Sequence, residues 1–360
     1  MKLKTTRRTF LRASGAILAG SAIAKPFPVH AEANPLANKS VTFIVGGGVG
    51  NTFDNFARTL TRQFERLIPG LTVRVKNVEQ ASGLLSAKML QEGPTDGTML
   101  LTTSSSVFSA QLVGEEGVHF DTRQWGWLGK HGTETRVLLR GPGADFKTFA
   151  ELRAKAAPSS MSVRAKTSHA YQEALWLNAL LGLRINPVPG YSKSVEAETA
   201  LIQGEVMLLP AGYPTDRNIM QADGVDVVLQ ISSGTLPEQY QGRPLLRDIV
   251  SGGGSVDRSR VLDFIDLTSN MLRWVAMPPN TQPEMLAAWQ AVFAEAAKAP
   301  DYIAESEKLD LEIDYTSGPD IAARVASIFQ GQGELAAELV ALERCGEALA
   351  AGKDNPCART

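Results

Sequence analysis

The sequence predicts an α/β protein built as two lobes. Short β-branched runs alternate with stretches whose apolar residues recur at helical spacing. That alternation runs in two successive series, before and after residue 138. Once an N-terminal leader is set aside, about 329 of the 360 residues remain, large for one core and natural for two.

The leader is Thr6-Arg7-Arg8-Thr9-Phe10-Leu11-Arg12 followed by an apolar run from Ala13 to Ala24, with no acid nearby. This is the layout of a twin-arginine export signal. The run is too short to span a bilayer comfortably, and Ala31 and Ala33 offer small residues for cleavage. Residues 1–33 are therefore assigned to a removable signal and the mature chain to the periplasm. Loss of residues 1–31 removes six basic residues and no acid, leaving 30 basic against 38 acidic, a net charge of −8. An acidic chain is a poor non-specific binder of nucleic acid, and any anionic ligand must be held by local donors and dipoles.

The first series opens with a strand from Lys39 to Val45, a glycine-rich turn, and a helix from Thr52 to Leu67 carrying Phe53, Phe56, Ala57, Leu60, Phe64 and Leu67. A strand from Leu71 to Val75, a helix from Leu84 to Leu90 and a strand from Thr98 to Thr103 continue it. Such alternation predicts a mostly parallel sheet. Val137 to Arg140 reads as a strand leaving the first lobe. The second series follows with a helix over Phe149 to Ala156, a strand over Met161 to Ala165 and a helix over His169 to Leu181. Strands at Ile185 to Val188 and Val206 to Leu209 flank a helix from Val195 to Gln203, and Val225 to Ile231 is a further buried strand. Ser251 to Ser255 is a glycine-rich break. Trp274 to Met277 is expected to return to the first lobe, and helices at Pro283 to Ala297, Pro319 to Phe329 and Glu334 to Ala351 close the chain. The expected lobes are 34–138 with 265–360, and 139–264.

The richest chemical feature is the loop Gly46-Gly47-Gly48-Val49-Gly50-Asn51-Thr52, between a strand and a helix. Glycines let a ligand approach the backbone, and the helix start offers free N–H groups at the positive end of its dipole. A carboxylate or phosphate suits such a place. The glycine spacing is not a dinucleotide fingerprint, and no Walker lysine follows. Ser104-Ser105-Ser106 and Lys166-Thr167-Ser168-His169 are the corresponding strand–helix turns further along. His169 has no obvious acidic partner in sequence and reads as a surface or cap-neighbouring residue. Neither an HExxH motif nor a Gly-x-Ser-x-Gly elbow is present, so no metal, cofactor or catalytic residue is assigned. Cys345 and Cys357 are the only cysteines, and in an oxidising compartment they are candidates to close a small C-terminal loop.

An ordered set of fragments resembles one family over nearly the whole mature chain. Ile44-Val45, the glycine loop and Phe53-Asp54-Asn55-Phe56-Ala57-Arg58 form the opening pattern. Ile68-Pro69-Gly70, Val75-Lys76-Asn77, Ala81-Ser82-Gly83 and Pro94-Thr95-Asp96-Gly97-Thr98 follow. Gly190-Tyr191, Gln203-Gly204-Glu205-Val206, Pro278-Pro279-Asn280-Thr281 and Glu305-x-x-Lys308-Leu309 complete the set. In these the chain is similar to the solute-binding receptors of the tripartite tricarboxylate transporter system, the Bug family of periplasmic binding proteins.

The resemblance implies a two-lobed periplasmic-binding-protein-like fold that closes on a small organic anion, usually a carboxylate. It also implies a monomer that hands its ligand to the membrane components of the transporter, without enzymatic activity. Carried over by position, the first-lobe contacts are Asn51, Thr52, Phe53, Asp54, Ser104, Ser105 and Ser106. The second-lobe contacts are Thr167, Ser168, Tyr191, Ala211, Gly212 and Tyr213. Asp54 has two readings, a cap that fixes the loop or a partner for a cationic group, and the first is preferred. Val49-Gly50-Asn51-Thr52, the 81–83 turn and Pro210-Ala211 depart from the family pattern at the pocket, which leaves the ligand class open. A sensor that presents its ligand to a signalling partner would share the fold and the site. A periplasmic enzyme is the third reading.

Overall fold

The computed structural model describes residues 34–251, 258–311 and 313–353. The export signal expected over residues 1–33, most of the expected 251–255 break and Cys357 lie outside the described residues. No helix among the described residues is long and apolar enough to cross a membrane.

The chain runs β1 (Ser40–Val45), α1 (Thr52–Leu67), β2 (Thr72–Asn77), α2 (Leu84–Gln91), β3 (Met99–Thr102), α3 (Ser106–Val113) and β4 (Gly126–Gly132). It continues through β5 (Thr135–Arg140), α4 (Phe149–Ala154), β6 (Ser159–Val163), α5 (His169–Leu181), β7 (Ile185–Pro189), α6 (Ser194–Ile202), β8 (Leu208–Tyr213), α7 (Arg217–Met220) and β9 (Asp226–Gln230). It ends with α8 (Leu246–Ser251), α9 (Ser259–Asn270), β10 (Leu272–Met277), α10 (Pro283–Ala296), α11 (Pro300–Glu307), β11 (Thr316–Ser317), α12 (Gly318–Ile328) and α13 (Gln332–Ala350). The α/β class is as the alternation predicts. The expected elements form, with bounds shifted by a few residues. β4, α3, α8, α9, α11 and the short α7 and β11 are additional.

Two sheets result, ordered β11-β4-β10-β3-β1-β2 and β7-β6-β8-β5-β9. The expectation of a mostly parallel sheet is corrected. β1 is parallel to β2 and β3, and β6 to β7 and β8. β10 is antiparallel to β3 and β4, β11 to β4, and β5 to β8 and β9. Parallel pairs arise inside strand–helix–strand units, where the crossover turns the chain round. Antiparallel pairs arise where strands from distant parts of the chain enter a sheet from its other end. β4 belongs to the first sheet and β5 to the second, with only Thr133 and Glu134 between them.

β1 is buried on both faces, as a central strand in a sheet covered by helices should be. Val41, Phe43 and Val45 face α1 and α10, where Phe64 meets Trp289 edge-on at 5.0 Å. Ile44 faces a second cluster. That cluster is continuous from Trp127 and Trp274 on the first sheet to Leu138, Met161 and Val228 on the second. α9 and α13 contribute Phe264, Leu339 and Leu342 to it. The two sheets therefore share an apolar spine on one side. α13 packs along α5 of the second sheet while α12 packs on β4 of the first, so the C-terminal segment spans both.

Candidate functional site

The two sheets together wall a cavity of about 800 Å³. That is within the range of small-molecule sites. The first sheet supplies Gly48 to Phe53, Asn55 and Glu79. The second supplies the end of β6, the start of α5, the segment from Tyr191 to Glu198, and Leu209, Pro210 and Asp216.

The glycine loop reaches this cavity because α1 is anchored from behind. Asn51 caps the helix by accepting from the Asp54 N–H at 2.9 Å. Asp54 is buried and lies behind the loop. It accepts from the Gly50 N–H at 2.8 Å, from Arg58 Nε at 2.9 Å and from Asn77 Nδ2 at 2.9 Å. Asn77 Nδ2 also donates to the Gly47 carbonyl at 3.0 Å. Burial pushes the Asp54 carboxyl up, but the donors of Arg58, Gly50 and Asn77 together hold it below its ordinary value. Gly50 adopts φ +80°, a conformation that costs other residues about 1–2 kcal/mol. The loop thus turns Val49 outward and leaves the Thr52 and Phe53 N–H groups at the unpaired start of the helix.

Two more helices start at the cavity. α5 begins after Ser168 and presents Ala170, and α6 begins after Lys193 and presents Ser194 and Val195. No side chain caps the start of α5, and at α6 Glu196 accepts from the Lys193 N–H itself, so the N–H groups that follow are left for a ligand. Arg164 and Lys193 line the same cavity without an ion-pair partner among the described residues.

Beside these donors lies a compact ionised group. Arg136 of β5 donates to Glu173 at 2.8 Å and lies 3.6 Å from Glu134. His169 is 4.0 Å from Glu173, one helical turn away. It is mostly buried, not at the surface, and its acidic partner is the residue four along α5. Burial pushes its imidazole down to about 4, outweighing the pull of the Glu173 charge. Asp216 accepts from the Gly212 N–H at 2.8 Å. Burial, and next the Glu134 charge, push the Asp216 carboxyl up to about 7.

Of the residues expected at the site, Asn51, Thr52, Phe53 and Tyr191 line the cavity. The Tyr191 hydroxyl donates to Glu205 at 2.6 Å, so its ring, not its hydroxyl, faces inward. The other expected residues do not line it. Asp54 is the anchor just described. Ser104, Ser105 and Ser106 open α3, where Ser104 Oγ accepts from the Ser106 N–H at 3.2 Å. Thr167 is exposed, and Ser168 donates to the Ala165 carbonyl at 2.6 Å. Ala211 and Tyr213 pack into the apolar cluster that also holds Val137 and Leu209, and Gly212 lies against Glu134. Cys345 is on the buried face of α13.

Ser162, Arg164, Lys193, Glu198 and Asp216 line the cavity without having been expected there. Only the Lys193-Ser194-x-Glu196 helix start, where the Lys193 N–H donates to Glu196 at 3.1 Å, was recognisable locally.

No protein-family model matches the chain. The chain is 23% identical over 327 residues to a UPF0065 protein from Cupriavidus necator, covering 88% of this chain and 92% of that one. Among solved structures it is similar to the periplasmic binding protein BugD, with a TM-score of 0.64 at 15% identity, covering 84% of this chain and 97% of that one. A Rhodopseudomonas palustris protein solved with adipate gives a TM-score of 0.65 at 17% identity over 84% and 97% of the two chains. MatC from the same organism, with bound malate, gives 0.58 at 19% identity over 89% and 100%.

Proposed function

We propose that this chain, which has the fold of the TctC and Bug periplasmic solute-binding proteins, is itself an extracytoplasmic receptor for a small organic ligand bearing a carboxylate. The observation that carries this reading is the convergence of three helix N-termini, α1, α5 and α6, with Arg164 and Lys193 on one cavity formed by both sheets. Each N-terminus favours an anion through unpaired N–H groups and the dipole. Relatives of this fold solved with adipate and malate support a carboxylate as the ligand class.

Closure is the proposed mechanism. The lobes would rotate about the 133–134 crossing and the return into β10, on the spine side, and bring the cavity walls together. Val49 and Val195, 75% and 61% exposed, sit on opposite lips of the cavity, and closure would bury both over the ligand. The closed form would then hand its ligand to the membrane components of a tripartite tricarboxylate-type transporter, as a periplasmic monomer delivered by the leader at residues 1–33.

A thermal-shift panel of small carboxylates, aromatic acids and amino acids on the mature protein tests the reading. A ligand held a hundredfold above its Kd stabilises the native state by about 2.7 kcal/mol. The expected outcome is a concentration-dependent rise in Tm with one chemical class. No rise with any class overturns it.

A further inference from the structure

Two carboxylates that follow α11 in the chain reach different parts of the molecule. The first, Asp310, is fixed to the first sheet. Its N–H donates to the Glu307 carbonyl at 3.1 Å, and Leu311 beside it packs into the cluster that holds Phe43, Val45 and Phe64. Its carboxylate ion-pairs with Arg217 and accepts from Asn218 Nδ2 at 3.2 Å. Both partners belong to α7, whose Ile219 and Met220 pack with Val137 and Leu209 of the second sheet. The bridge therefore joins a residue fixed to one sheet to a helix fixed to the other. Asp310 holds φ +56°, a left-handed conformation that asparagine and aspartate enter most readily after glycine.

Asp314 is the second. Its N–H donates to the His131 carbonyl at 3.3 Å, and its carboxylate accepts from the Thr133 hydroxyl. Thr133 is one of the two residues between β4 and β5, where the chain crosses from sheet to sheet. Lys130, 2% exposed, donates to the same hydroxyl at 2.5 Å and to the Gly132 carbonyl at 3.0 Å, and lies 3.5 Å from Asp314. A buried ammonium needs a counter-charge, so Asp314 is held at the crossing. Carboxylates from one short stretch of chain thus pin both the crossing and α7.

We propose that Asp310 and Asp314 form a clasp between the sheets: Asp314 fixes the crossing and Asp310 holds α7, limiting how far the sheets separate in the ligand-free protein. Rotation of one sheet against the other moves α7 relative to Asp310, so the Arg217 pair must break before the cavity opens wider. α7 follows Asp216 directly, so the clasp also positions that part of the cavity wall. An ion pair as exposed as this one adds little to folding stability, but the same energy acts on the balance between two arrangements. The inference shares with the receptor reading only the movement of the sheets, and its test uses no ligand.

The test is the distance between spin labels placed by Val49→Cys and Val195→Cys, on opposite lips of the cavity, measured by pulsed electron resonance without ligand. The described residues hold no free cysteine to compete for label. Asp310→Asn keeps a residue suited to φ +56° and an acceptor for Asn218 while removing the charge. Arg217→Gln removes the charge on the other side. Both positions are partly exposed, so both variants should melt near the parent. Each should raise the long-distance population by about two- to fivefold, the shift that a partly exposed ion pair gives. Combining them should add nothing to either alone, since both remove the same pair. Raising the salt concentration should move the parent toward the variants. Distances unchanged in both single variants would overturn the clasp, as would a double variant whose effect is the sum of the two. Failure of every ligand in the thermal-shift panel would sink the receptor reading and leave this measurement intact.

Discussion

Among the residues that line the cavity, Asp216 lies furthest from its ordinary value. Its carboxyl is pushed up to about 7, first by burial and then by Glu134. A carboxyl whose folded-state value is raised contributes stability that is fully present below about pH 4 and lost as pH rises through 7. Asp216→Asn is therefore expected to raise Tm relative to wild type by more at pH 8 than at pH 5. Paired melts at the two pH values check this, and an equal shift at both would show that the carboxyl is ordinary. Asn51, Thr52 and Phe53 were legible in sequence because a glycine-rich turn before an amphipathic helix is a local pattern. Asp216 was not, because what distinguishes it is the Glu134 brought beside it by the β5–β8 pairing.

At the scale of elements, α1 shows how a helix start becomes a binding surface. Its buried Phe56, Leu60 and Phe64 dock it on the first sheet, and Asp54 ties the preceding loop to Arg58 and Asn77. Asp54→Ala leaves the Arg58 charge, the Gly50 N–H and the Asn77 amide without their acceptor. A loss of roughly 1–3 kcal/mol of stability is expected, because the Gly50 N–H and the Asn77 amide lose their acceptor while the half-exposed Arg58 is taken up by water, with ligand affinity weakened but the order of ligand preference unchanged. Chemical denaturation and a ligand panel on the variant measure both, and an inverted preference would show that Asp54 touches the ligand. The preference for a structural Asp54 could be argued from sequence, since an acid in the first turn of a helix is a common anchor. Its hold on β2 through Asn77 could not, because that contact joins residues 23 apart.

At the scale of the whole molecule, one apolar cluster runs from sheet to sheet and both sheets wall the cavity. Motion is then expected to be a hinge about the spine, with α13 against α5 resisting any wider separation. Small-angle scattering should show a smaller radius of gyration for the mature protein with a ligand from the thermal-shift panel than without it. An unchanged radius under saturation would rule out closure as the mechanism. The sheets were expected to be mostly parallel and are mixed, because β10 and β5 enter against their neighbours where the chain passes between sheets.

By itself the sequence determined the α/β class, the order of the main elements, the anion-binding character of the glycine loop and the fold family it resembles. Each of these rests on periodicity, turn chemistry or helix-start chemistry within a few residues. Only the tertiary structure decided which loops share the cavity and which pack away from it. It also decided that the Tyr191 hydroxyl is spent on Glu205, and that Asp216 and Ser162 meet at one wall. Those outcomes depend on burial and strand pairing between residues 14 apart for Tyr191 and Glu205 and farther for Ser162 and Asp216, and no local pattern encodes them.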